Sequence, residues 1–125
     1  MNALQLAQAA YTGREAPTRS QRGVEYDVFA QVTQRLRTAH ARREADFPSL
    51  VAALHENRQL WTHLVLLVAD DMNGLPTALR AQLASLGIFT DGHTSKVLAR
   101  QASAEILIEI NTAIMRGLRP QGLAA

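Results

Sequence analysis

Cysteine is absent from the sequence, which rules out a disulfide framework or a thiolate metal site and suits a reducing compartment. Aromatic residues make up only 5%. None is interleaved with the arginines gathered at Arg35, Arg37, Arg42 and Arg43, so the stacking platform of a single-strand RNA site is missing. Long apolar runs are lacking too: the longest, Leu64 to Ala69, ends at Asp70 and Asp71, far short of the roughly 20 residues that span a bilayer. The first residues have neither basic character nor a continuous apolar stretch, which argues against a signal peptide. A soluble cytoplasmic protein is the expectation. Net charge is only +2, which gives little general attraction to nucleic acid, and the arginine cluster reads first as a solvated helix face.

What is present is helical periodicity. At 125 residues the protein is read as one domain, 1–125, in which residues 1–17 form the segment expected to be most mobile. Apolar spacing is helical nearly everywhere, and no alternating β-branched run bounded by hairpin signals occurs. The expected fold is all-α, a compact bundle of four to five helices. A short helix over residues 3–11 and a polar loop over 12–17 precede a helix from about Thr18 to Ala41. That helix stacks Val24, Val28, Val32, Leu36 and Ala39 along one stripe, with Phe29 beside it.

The next helix is better specified, because Asp46 is a good N-cap and Pro48 sits in the first turn, where its missing N–H costs nothing. Its stripe is Leu50, Leu54, Asn57, Trp61, Leu64, Val65 and Val68, with Leu60 and Leu67 on a flank. At about 100° per residue, Leu66 points away from Trp61 among polar neighbours. Asn73-Gly74 marks a turn, Pro76 opens a short helix to about Leu86, and Gly87 reads as its C-cap. A last helix is expected from about Asp91 or His93 to Arg116, stopping at Gly117. It is so apolar around most of its circumference that it should be central, flanked on two or three sides.

Two asparagines, Asn57 and Asn111, lie inside apolar arcs. Each amide is either buried and hydrogen-bonded to backbone or to the other, or lines a groove where it bonds a bound helix; both hold if the groove lies between the two helices. Catalytic patterns are absent by comparison. His55 and His63 are too far apart on their helix for one metal, and no His-Glu-x-x-His occurs. Asp70, Asp71, Asn73 and Gly74 lack the alternation and closing glutamate of a calcium loop. No glycine loop suits a phosphate, and no serine has a histidine placed to activate it. The expectation is no enzyme, no cofactor and no metal.

One ordered set of residues carries a resemblance: Tyr11, then Asn57-Arg58-x-Leu60-Trp61, then Asn73-x-Leu75-Pro76-x-x-Leu79-Arg80, then Asn111-x-x-Ile114-Met115-Arg116-Gly117-Leu118. This pattern covers most of the sequence and resembles the FlaF family of flagellar biosynthesis factors in alphaproteobacteria. The resemblance implies a small cytoplasmic protein, not an enzyme, needed for flagellin production and export. Flagellin is the partner it implies, since flagellin's amphipathic terminal helices carry exposed apolar stripes before export, and a helical protein with surplus apolar surface could cover one. The candidate partner-binding residues are Asn57, Arg58, Leu66, Leu67, Ile108, Asn111 and Met115. The alternative is a post-transcriptional regulator of flagellin synthesis, acting on messenger RNA or through FlbT, the family's usual genetic companion. A third reading is a homodimer joined by the extra apolar faces.

Overall fold

A computed structural model of the protein describes residues 21–70 and 74–118. They form four helices, α1 Gln21–Ala41, α2 Phe47–Ala69, α3 Thr77–Leu98 and α4 Glu105–Leu118, with no strand among the described residues. The short helix over 3–11, the loop over 12–17, Tyr11, Asn73 and the side chain of Val24 lie outside what is described.

The start of α2 follows the sequence. The Asp46 carboxylate accepts from the Ser49 backbone N–H at 3.2 Å and from the Ser49 hydroxyl at 2.6 Å, and Pro48 occupies the first turn. Those two bonds, the hydroxyl's first, hold the Asp46 carboxyl below its ordinary pKa. On α1, Phe29, Val32, Leu36 and Ala39 are buried. On α2, the buried set is Leu50, Ala53, Leu54, Asn57, Leu60, Trp61, Leu64 and Val68, so the expected stripe is inward-facing apart from half-buried Val65.

The second half of the protein departs from the sequence reading. Gly87 does not end a helix: α3 runs through it for a further eleven residues, and Gly87 is buried. A Cβ placed there would collide with Val65 Cγ2, so the glycine lets α3 lie close against α2. Helix α3 instead ends at Leu98, inside the span expected for the last helix. Arg100 takes the left-handed conformation, φ 62°, and the Gln101 N–H bonds back to the Lys96 carbonyl at 2.8 Å. This closure normally uses glycine at the left-handed position. Two residues before α4, the Ser103 hydroxyl accepts from the Glu105 N–H at 3.1 Å and starts the new helix.

The four helices are arranged in a ring. α1 packs on α2 and α4, α2 packs on α1 and α3, and α3 meets α4 only lightly. α2 and α4 lie on the diagonal, joined by side chains alone. The last helix is therefore not the centre of the bundle, as its composition suggested. α1 and α2 each have two close neighbours and α4 has one, leaving Ile106, Ile108, Ile110, Ile114 and Met115 half-buried.

The core has two apolar clusters. One surrounds Phe29, Trp61, Leu64 and Leu83, and the other surrounds Leu36, Leu50, Leu54, Val97 and Leu107. Phe29 and Trp61 meet edge to face, 5.9 Å between ring centres at 88°. Along α1, α2 and α4, the residues that fall between the clusters are polar: Thr33, Asn57 and Asn111, all fully buried.

Candidate partner-binding surface

The buried polar layer is connected. Trp61 Nε1 donates to Asn111 Oδ1 at 2.8 Å, while Asn111 Nδ2 donates to Asn57 Oδ1 at 2.7 Å and to Thr33 Oγ1 at 3.1 Å. Asn111 thus ties α4 to α1 and α2 at once, satisfying groups whose burial would otherwise be costly. Asn57 Nδ2 has no hydrogen-bond partner. Both amides are 0% exposed, so in this arrangement they bond inside the bundle and line no open groove.

Arg58 also joins helices. Its Nη2 donates to the Asp91 carbonyl at 2.7 Å and to Ser95 Oγ at 2.8 Å. Its Nε lies 2.8 Å from Asp91 Oδ1, an ion pair by distance whose angle is poor for a hydrogen bond. Asp91 and His93, the two starts the sequence offers for the last helix, both sit on α3, and Asp91 is the partner of Arg58.

The remaining sequence candidates do not share one face. Leu67 and Met115 are half-buried against the Trp61 cluster, and Ile108 is half-buried against the Leu107 cluster. Only Leu66 stands in solvent, 65% exposed on the outer side of α2. Of the other exposed large apolar residues, Ile88 at 73% stands out further than Leu66, and Phe89 follows at 47%. Sequence reasoning missed them because it placed a helix end at Gly87. The signal was there: Leu83, Gly87, Thr90, Thr94 and Val97 repeat every three or four residues, and all are buried on one side of a continuous helix.

Helix geometry relates these exposed residues. Val65 and Gly87 meet across α2 and α3, and the next residue on each helix, Leu66 and Ile88, is exposed, so both stand at one level of the α2–α3 pair. Phe89, about 100° further round α3, stacks on His93 with ring centres 5.5 Å apart, and His93 Nε2 is 2.7 Å from the Ser103 carbonyl. Phe89 therefore lies on the flank of α3 turned toward the α3–α4 connection.

The arginine cluster is largely engaged. Arg35 forms a two-pronged bond with Glu56, Nε to Oε1 at 2.8 Å and Nη2 to Oε2 at 2.5 Å, which raises its pKa further. Arg37 donates to Gln34, and Arg43 to the His40 carbonyl. A broad open groove between α1 and α2 holds Arg35 and Arg42, but it also holds Asp46 and Glu56, so its charge is mixed.

Among the described residues no three acidic or histidine side chains converge as metal ligands, and no described helix is long and apolar enough to cross a membrane. In comparisons with curated proteins and with solved structures, no match was found. A family model does match, over residues 7–118, nearly the whole sequence and all four helices. The chain belongs to the family of the flagellar protein FlaF.

Proposed function

We propose that this flagellar protein acts as a flagellin-binding adaptor or secretion chaperone, docking an amphipathic helix of flagellin by apolar contact. The observation that carries this reading is the pair Leu66 and Ile88, large apolar side chains held in solvent on either side of the tight Val65–Gly87 contact. Large apolar side chains clustered in solvent commonly mark a partner site. Arg58 helps to hold the two helices that present them, through Asp91 and Ser95.

The test is copurification of the full-length protein with flagellin, stoichiometry by light scattering, and comparison with Leu66→Ser and Ile88→Ser. Each variant should fold normally and bind flagellin about tenfold or more weakly, the effect of removing one apolar side chain from a buried contact. A complex with flagellin messenger RNA in purified components, without a flagellin complex, would support regulation of synthesis and overturn the chaperone reading. A dimer that Leu66→Ser turns into a monomer, with flagellin binding intact, would mark this face as a self-association surface. The RNA reading, and regulation through FlbT, draw less support from the molecule, because Arg35 is neutralised by Glu56 and no aromatic residue is interleaved with Arg35, Arg37, Arg42 and Arg43 along the sequence.

A further inference from the structure

Where α1 ends, α2 begins and α3 turns toward α4, a cavity of about 170 Å³ opens. Phe47, Leu50, Val97 and Ala104 supply apolar lining, and His40, Arg43 and Arg100 also line it. Among the described residues, neither arginine has the carboxylate partner that Arg35 and Arg58 have. Arg35 and Arg58 pair with carboxylates, but Arg43 donates only to the His40 carbonyl at 2.9 Å, and the Arg100 guanidinium lies 3.8 Å over the Phe47 ring. Glu44, which also lines the cavity, pairs with neither. His40 Nδ1 is buried without a hydrogen-bond partner. The N-terminus of α4, the positive end of its helix dipole although Ser103 already caps the Glu105 N–H, begins at the same wall with Ser103 and Ala104.

Arg100 adds a second observation. It occupies a left-handed helix-ending position, φ 62°, where glycine would be more relaxed. An arginine kept there, laid across an aromatic ring that lines the same cavity, fits strain retained for a binding purpose. We propose that this cavity binds a carboxylate on a short aliphatic stem, the stem against Phe47, Leu50 and Val97 and the carboxylate between Arg43 and Arg100. The terminal carboxylate of a polypeptide and an acidic side chain both offer that chemistry. The lining is mixed, and the Glu44 carboxylate in the same wall opposes a doubly charged phosphate more than a singly charged carboxylate. This inference is independent of the flagellin reading.

The experiment follows backbone amide resonances of the full-length protein at constant ionic strength during titration with N-acetylleucine, N-acetylglutamate α-amide, N-acetylleucinamide and inorganic phosphate. Saturable shifts centred on Arg43, Arg100, Ser103 and Ala104 are expected with one or both carboxylates and not with the leucinamide. The leucine compound binding better would point to a polypeptide terminus, and the glutamate compound to an acidic side chain. Arg100→Gly should keep its melting temperature, since glycine relaxes the left-handed turn, yet weaken binding about tenfold or more, as loss of a charge-assisted bond does. Arg43→Gln should weaken it similarly. The proposal is overturned if neither carboxylate saturates, if the leucinamide or phosphate binds as well, or if both variants bind like the wild type.

Discussion

Asn111 is bonded on both ends of its amide: it accepts from Trp61 and donates to Asn57 and Thr33, all in the interior. Truncation to alanine would leave the Trp61 N–H and the Asn57 carbonyl orphaned, each at about 1–3 kcal/mol. Asn111→Ala should therefore cost about 3 kcal/mol or more in urea denaturation. Trp61→Phe removes the orphaned donor, so in the Asn111→Ala background it should cost less than in the wild type, by about 1 kcal/mol. Strict additivity would show that the Trp61–Asn111 bond contributes nothing. Trp61→Ala is a different lesion, because it empties the edge-to-face contact with Phe29 and the space between α1 and α2. A loss of about 3–5 kcal/mol is expected. A variant that melted like the wild type and lost only its partner would make Trp61 an interface anchor.

At the scale of elements, α2 and α3 form the most extensively packed pair, and Gly87 permits their close approach. In Gly87→Ala the new methyl would strike Val65 Cγ2, so the variant should lose about 1–3 kcal/mol despite alanine's better helix propensity. Adding Val65→Ala should recover part of that loss; a double variant as unstable as the sum of the singles would mean the contact is not the cause. The entry to α2 carries a pH dependence. Asp46 is held below the ordinary carboxylate range by Ser49, so its capping contribution is fully present above that range and fades as pH falls through the lower folded-state value. Asp46→Ala should melt earlier than the wild type at neutral pH, and the gap should close in strong acid. Parallel melting curves at all pH values would remove the carboxylate from the cap.

At the scale of the whole molecule, the helices are unequally held. α2 sits between two neighbours and reaches α4 through side chains, while α4 rests mainly on α1. Amide exchange should therefore protect the middle of α2 most strongly, with α4 opening at lower free energy. Equal protection of both helices would show that the bundle opens only as a unit. The apolar character of the proposed docking face leads to a further expectation: flagellin binding should change little with salt, whereas contacts to phosphates would weaken steeply. A steep salt dependence would redirect attention to the arginines of α1.

The all-α class, the family, the extent of α2 and most of the inward stripes of α1 and α2 were legible in the residues alone. These rest on local rules: a cap at Asp46, proline in the first turn, and a repeat of apolar residues that holds wherever a helix has one buried side. Where the second half breaks was settled by packing between helices. Gly87 reads as a helix end in the sequence, yet its missing side chain serves the close approach of α2, and the turn that ends α3 is made by Arg100, a residue type that does not mark a left-handed position. Whether Asn57 and Asn111 faced each other or a groove was likewise open along the sequence, because partners 54 residues apart are set by how helices cross. The exposure of Leu66, Ile88 and Phe89 was settled in the same way, since an apolar residue is a surface residue only once its neighbours are in place.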